Sequence, residues 1–273
     1  MLKQRVFTAM ILLPLVMVAI FAAPAKWFII LLALILMKGS AEYGRLAAFS
    51  GRFTWHLLFE LQLITLVVLF IYREDWDTNI LISLSACCVA WLLMFARLPL
   101  YRPAAQPDNS YRTVSFVTAI VSITTGWFAI SWLRMQTDGA WLILLLLLIV
   151  WAADTGAYFA GKTFGKRKLA PSISPGKTLE GLIGGLITAP VVALVAAYLM
   201  PVASIKPTWL ILLSLVTALV SAGGDLLISL HKRTSGFKDS GNLLPGHGGV
   251  LDRLDSLLAA APFFALGLLV SGF

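Results

Sequence analysis

The chain has 273 residues, of which 59% are hydrophobic and only 12% charged, and its mean hydropathy is +0.90. Soluble domains carry about 25% charged residues, so these values exclude a water-soluble fold and make the bilayer the main solvent. The formal charge of +8 does not imply nucleic acid, because cytoplasmic loops of membrane proteins gather Lys and Arg and face anionic lipid.

A transmembrane helix needs about 20 mostly apolar residues. Nine segments qualify, at about 5–23, 26–45, 55–72, 78–98, 113–133, 140–160, 179–199, 207–228 and 254–272. Lys3 and Arg5 ahead of the first run, with Ala23-Pro24-Ala25 behind it, imitate a secretory signal. The run is nevertheless long enough to span and further spans follow, so the first helix is expected to stay. Cys87 and Cys88 sit inside the fourth run with no His or Asp nearby and read as small hydrophobes. No ten-residue alternation suggests a barrel, so the spans are helices. The expected fold is therefore all-α and polytopic, one membrane domain over 1–273, with N-terminal spans over about 1–135 and a catalytic portion over about 136–273.

With the N-terminus in the cytoplasm, 17 of the 21 Lys and Arg fall in cytoplasmic segments and only Lys26, Arg73, Arg134 and Lys206 on the other side. The positive-inside rule thus predicts nine spans, with a cytoplasmic N-terminus and the C-terminus opposite. Two cytoplasmic segments, about 154–180 and 224–255, hold most of the residues suited to chemistry.

The first contains a literal P-loop spacing, Gly156 to Gly161-Lys162-Thr163. A P-loop needs a buried strand before it, and here an apolar span precedes it, so the match is set aside. Ser174-Pro-Gly-Lys177-Thr178 instead reads as a turn feeding a helix with Glu180 and Gly181 in its first turn. Helix N-termini present free N–H groups to phosphate, and Lys177 adds a full charge. Lys166, Arg167 and Lys168 read as a patch facing lipid headgroups. Asp154 lies near the end of an otherwise apolar helix, where an ionisable group is costly and usually has a partner or a function.

In the second segment, Asp225 follows Gly223-Gly224 at a span end and Asp252 opens the last span. Two hard oxygen donors completed by phosphate oxygens and water suit Mg²⁺. Asp252 and Asp255 share a helix face by their spacing. Lys232, Arg233, Lys238 and Arg253 carry the charge needed to neutralise phosphate, and Pro245-Gly-His247-Gly248-Gly249 forms a turn that lets backbone approach an anion. Each element has an ordinary alternative: Lys232 and Arg233 as interfacial anchors, Asp252 as a helix cap.

Together, Ser229, Lys232-Arg233, Lys238-Asp239, Pro245-Gly-His247-Gly248-Gly249 and Asp252-Arg253-Leu-Asp255 resemble the signature of phosphatidate cytidylyltransferases. The resemblance extends more loosely to 154–181 and to Gly224-Asp225-Leu226. His231, where the family usually has an apolar residue, and Ile228, where a Glu is common, depart from it. The resemblance implies a nine-helix homodimer in the bacterial inner membrane, using CTP and phosphatidate to form CDP-diacylglycerol and pyrophosphate at a cytoplasmic site. It assigns Asp225 and Asp252 to a Mg²⁺/K⁺ pair. With the charge arrangement above, Lys232, Arg233, Lys238 and Arg253 are expected to be catalytic, and Asp154, Lys177, Thr178, Ser229, Asp239, His247, Gly248, Gly249 and Asp255 to contact substrate. A CTP-dependent polyprenol or phytol kinase, a CDP-archaeol-type synthase and, further off, an anion transporter are the competing readings.

Overall fold

A computed structural model gives the structure of residues 2–49, 51–100, 107–202, 205–243 and 248–272, the side chains of 2–7 and 9 excepted. Among the described residues, eight helical stretches are long and apolar enough to cross a membrane, at the places the hydropathy pattern predicts for the second to ninth spans. They are α2 (Ala25–Leu46), α3 (Arg52–Ile71), a 3-10 turn (Arg73–Asn79) running into α4 (Ile80–Phe95), α5 (Asn109–Met135), α6 (Gly139–Phe164), α7 (Leu179–Leu199), α8 (Pro207–Thr234) and α9 (Leu251–Val270). They follow α1 (Leu2–Phe21), whose described apolar stretch, Met10–Phe21, is shorter than a span. The chain is an all-α polytopic membrane protein.

Two boundaries differ from the expectation. Helix α6 continues through the P-loop-like spacing to Phe164, so those residues form helix and not a phosphate cradle. Helix α8 runs on to Thr234, which puts Asp225 well inside it instead of at its end. A third difference is local. The segment expected to be a plain turn contains β2 (Ser174–Thr178), paired antiparallel with β1 (Lys168–Ala170) in register Lys168↔Thr178.

Helix α9 is the hub. Its run Leu257-Leu258-Ala259-Ala260-Ala261 is buried throughout, as expected for a helix surrounded by others. Helices α5 and α8 pack against it, and Gly126 of α5 and Gly224 of α8 supply the room. A Cβ on Gly224 would lie 2.6 Å from the Asp255 carbonyl oxygen, so these two backbones touch beside Asp225. Helices α6 and α7 are drawn together in the same way. A Cβ on Gly156 would lie 2.8 Å from the Gly184 carbonyl oxygen, and one on Gly185 2.7 Å from that of Ala153. Thr188 Oγ1 donates across this seam to the Ala152 carbonyl at 2.9 Å. Small residues and interhelical hydrogen bonds drive helix association where lipid competes for apolar contact. The opposite face of α7 presents Ile183, Ile187, Val191 and Val195, all exposed, as a lipid-facing stripe.

The loops gather at two ends. At one end Arg134 Nη2 donates to the Ala23 carbonyl at 2.7 Å and Trp132 Nε1 to Asp77 at 3.0 Å. At the other end the C-terminal ends of α2, α6 and α8 meet the N-terminal ends of α7 and α9, and both chemistry-bearing segments fall there.

Candidate active site

A cavity of about 600 Å³ opens among α6, α7, α8, α9 and the hairpin. Helix α6 contributes Asp154, Tyr158 and Lys162; the hairpin and start of α7 contribute Lys177 and Thr178; α8 contributes Ser221, Asp225 and Lys232; and α9 contributes Asp252, Arg253, Asp255 and Ser256. Asp239, from the loop between α8 and α9, completes the rim. One wall is apolar and small, including Ala153, Ala157, Leu182, Gly185, Leu186 and Ala218.

Two aspartates are each held by a lysine from a different element. Lys177 Nζ lies 2.7 Å from Asp225 Oδ2 and 3.3 Å from the Ala222 carbonyl oxygen. Ser229 Oγ, one turn further along α8, donates to Asp225 Oδ1 at 3.1 Å. Lys232 Nζ lies 2.8 Å from Asp252 Oδ1. Asp252 Oδ2 accepts from Ser240 N at 2.8 Å, Ser240 Oγ at 3.0 Å and Gly249 N at 2.9 Å. Asp252 therefore organises the loop before α9 while its other oxygen faces Lys232. Asp252 lines the cavity but does not cap α9, since its donors lie in the loop ahead of the helix and α9 has no side-chain cap.

The hairpin earns its place by local chemistry. Thr178 caps α7, its Oγ1 accepting from Gly181 N at 3.1 Å. Glu180 accepts from Lys166 N at 3.0 Å and from Arg167 N at 3.1–3.2 Å, which returns the chain to α6 and leaves Lys177 directed at α8.

Of the residues marked in the sequence, the structure brings Asp154, Lys177, Thr178, Asp225, Lys232, Asp239, Asp252, Arg253 and Asp255 to one cavity, with Ser229 bonded behind it. Arg233 and Lys238 do not line it. Arg233 Nε donates to the Ile173 carbonyl at 3.1 Å and braces the hairpin, and Lys238 is exposed. Gly248 and Gly249 act through the backbone. Gly248 has φ +83°, a conformation that favours glycine, and a Cβ there would lie 2.6 Å from Asp252 Oδ2. His247, with Leu244, Pro245 and Gly246, lies outside the described residues.

The two departures from the family signature sit in the packed interior. Ile228 is 1% exposed and His231 fully buried, with His231 Nδ1 3.1 Å from Tyr111 Oη and 3.3 Å from Ser115 Oγ. The sequence reading missed Lys162 and Tyr158 as cavity residues, and it missed Glu42. Glu42 carries the signal that marked Asp154, an acid within an apolar span.

The lining carries five aspartates, Asp154, Asp225, Asp239, Asp252 and Asp255, against four bases, Lys162, Lys177, Lys232 and Arg253, a formal charge of −1. A cation would add to the four bases in offsetting the charge of a polyphosphate. The cavity's donors are oxygens, with no His or Cys among the described lining residues, which fits a hard divalent ion such as Mg²⁺. Among the described residues no three His, Cys, Asp or Glu form a ready metal cage.

Comparison with known proteins matches residues 3–270 to the model of the cytidylyltransferase family. The phosphatidate cytidylyltransferase of Haemophilus influenzae is 36% identical over 97% of this chain and 98% of its own length. That of Pseudomonas aeruginosa is 36% identical over 100% and 98% respectively. The Bacillus subtilis phosphatidate cytidylyltransferase is 45% identical over 48% of each chain. The chain thus belongs to the cytidylyltransferase family of membrane enzymes.

Proposed function

We propose that the chain transfers the cytidylyl group of CTP to phosphatidate, giving CDP-diacylglycerol and pyrophosphate. The observation that supports this best is the pair of lysine-held aspartates, Lys177–Asp225 and Lys232–Asp252, on one cavity at the helix ends. A phosphate oxygen of phosphatidate forms the new bond to the α-phosphorus of CTP, and the bond from that phosphorus to the bridging oxygen breaks, releasing pyrophosphate. The nucleophile is already an anion, so the step needs no strong general base. The barrier lies in bringing anions together and in charge gathering on pyrophosphate, which positioned cations relieve.

In this reading Lys162, Lys177, Lys232 and Arg253 neutralise and orient the phosphates. Asp225 and Asp252 would hold Mg²⁺, with Asp154 and Asp255 beside Asp225. The ion supplies charge neutralisation on the phosphate oxygens. The apolar wall of Leu182, Leu186 and Ala218 suits the acyl chains of the lipid. The distribution of Lys and Arg supports a cytoplasmic site in a bacterial inner membrane. A homodimer and a K⁺ partner to Mg²⁺ rest on the family resemblance alone.

The deciding experiment incubates the purified protein in detergent with CTP, Mg²⁺ and phosphatidate and identifies the nucleotide product. CDP-diacylglycerol with pyrophosphate is expected. Free CDP with a phosphorylated lipid acceptor would replace this reading with a kinase.

A further inference from the structure

Glu42 is 1% exposed and stands on α2, far in sequence from every residue that lines the cavity. Its Oε1 accepts from Val250 N at 3.0 Å, and its Oε2 from Leu251 N at 3.0 Å and Ser240 Oγ at 2.8 Å. The two N–H groups belong to the start of α9, where free donors and the positive end of the helix dipole favour an anion. Their carboxylate comes from a different helix, 208 and 209 residues earlier.

The loop is shaped around this carboxylate. A Cβ on Gly241 would lie 2.5 Å from Glu42 Oε1, and one on Gly249 would meet Ser240 Oγ and Glu42 Oε2. Ser240 also touches Asp252, its Oγ at 3.0 Å and its N at 2.8 Å from Oδ2. A serine hydroxyl has one proton, so it serves one carboxylate at a time while the backbone N–H keeps hold of Asp252. All three donors to Asp252 Oδ2 come from the loop that Glu42 closes, which leaves Oδ1 turned to Lys232 and the cavity.

We propose that Glu42 is a positioning residue for the reaction, setting the orientation of Asp252 through Ser240 and the start of α9. The proposal rests on the reading of Asp252 as a Mg²⁺ ligand. Partners that orient a metal ligand typically contribute about 10–100-fold in metal affinity.

The test compares wild type, Glu42→Gln, Ser240→Ala, the double variant and Asp252→Asn in detergent. Two quantities are read: the Mg²⁺ concentration giving half-maximal rate, and the rise in unfolding temperature on adding Mg²⁺, which follows affinity by linkage. Glu42→Gln and Ser240→Ala are each expected to raise the half-maximal Mg²⁺ concentration by about tenfold or more and to shrink the Mg²⁺-induced rise. The double variant should be little worse than Glu42→Gln, because the serine acts in the same chain of contacts. If Glu42→Gln only lowers the basal unfolding temperature and both Mg²⁺ quantities stay at wild-type values, Glu42 merely anchors α9 and the proposal fails. Should Glu42→Gln not fold, Ser240→Ala decides, since it leaves the α9 N–H groups paired; an unchanged Mg²⁺ response there overturns the proposal. Asp252→Asn separates the two levels. Loss of the Mg²⁺ response in Asp252→Asn alone refutes the role of Glu42 and keeps Asp252 as ligand, whereas a wild-type response in Asp252→Asn removes both.

Discussion

Lys177 reaches Asp225 with Nζ 2.7 Å from Oδ2, tying the hairpin before α7 to the interior of α8. Both side chains keep some exposure, 26% and 32%, so the ammonium can shift from carboxylate to an arriving phosphate. Lys177→Ala should lower kcat/KM by about a hundred- to thousandfold, the usual loss when one donor to developing phosphate charge is removed. Lys177→Arg should restore only part of it, because the planar guanidinium does not reproduce a compact ammonium. Steady-state kinetics on CTP decide this, and wild-type kinetics in Lys177→Ala would leave the lysine as a brace for the hairpin.

Asp225→Asn and Asp252→Asn should each nearly abolish turnover, and the double change should cost little more, because residues acting as one unit are not additive. Rate against Mg²⁺ concentration for the three variants is the measurement. Additive losses would mean that the two carboxylates act independently.

Arg253 and Arg233 lie in the same sequence signature, yet only Arg253 lines the cavity. Arg253→Ala should cost at least a hundredfold in turnover, on the order of a lost transition-state donor. Arg233→Ala should mainly loosen the hairpin by freeing the Ile173 carbonyl, and exposed Lys238→Ala should cost least. Turnover measured beside thermal stability separates these effects. A loss in Arg233→Ala equal to that in Arg253→Ala, at unchanged stability, would show that the guanidinium meets substrate.

Gly156→Val should disable the enzyme without altering any polar cavity group. The added carbons collide with Thr188 and the Gly184 carbonyl and force α6 from α7. Overpacking of this kind typically costs about 1–3 kcal/mol, read as a lower unfolding temperature in detergent. Because the cavity wall is built from the same two helices, activity should fall with it. A variant of full stability and activity would show that the seam can open freely.

The spans were legible because lipid imposes a simple rule of length and apolarity, and the carboxylates stood out because charge is rare in such segments. The errors have physical causes. The span was expected to end near residue 228, but α8 runs on to Thr234 with its polar groups turned inward: Ser229 bonds Asp225 one turn back, and His231 Nδ1 meets Tyr111 and Ser115 of α5. Pro175 and Gly176 read as a turn, yet pairing with β1 makes the segment a strand, and pairing is a tertiary fact that local composition does not carry. Arg233 was indistinguishable from Lys232 by position alone. One residue along α8 rotates the side chain by about 100°, turning it from the cavity to the hairpin. Glu42 carried the signal of an acid in an apolar span, but what it holds was not legible, because its partners lie some 200 residues away.

That distance has a consequence for biogenesis. Glu42 enters the membrane with α2 while Ser240, Val250 and Leu251 are still unmade, 198 to 209 residues downstream. At a synthesis rate of roughly 5–20 residues per second the interval is about 10–40 s. Throughout that time the carboxylate must be solvated by water at the membrane surface or by a provisional partner, since no donor of its final set exists. The nascent chain therefore carries an unfinished polar pocket until α9 docks, and a ribosome that stalls before α9 leaves a protein whose other helices are inserted but whose reaction chamber was never closed.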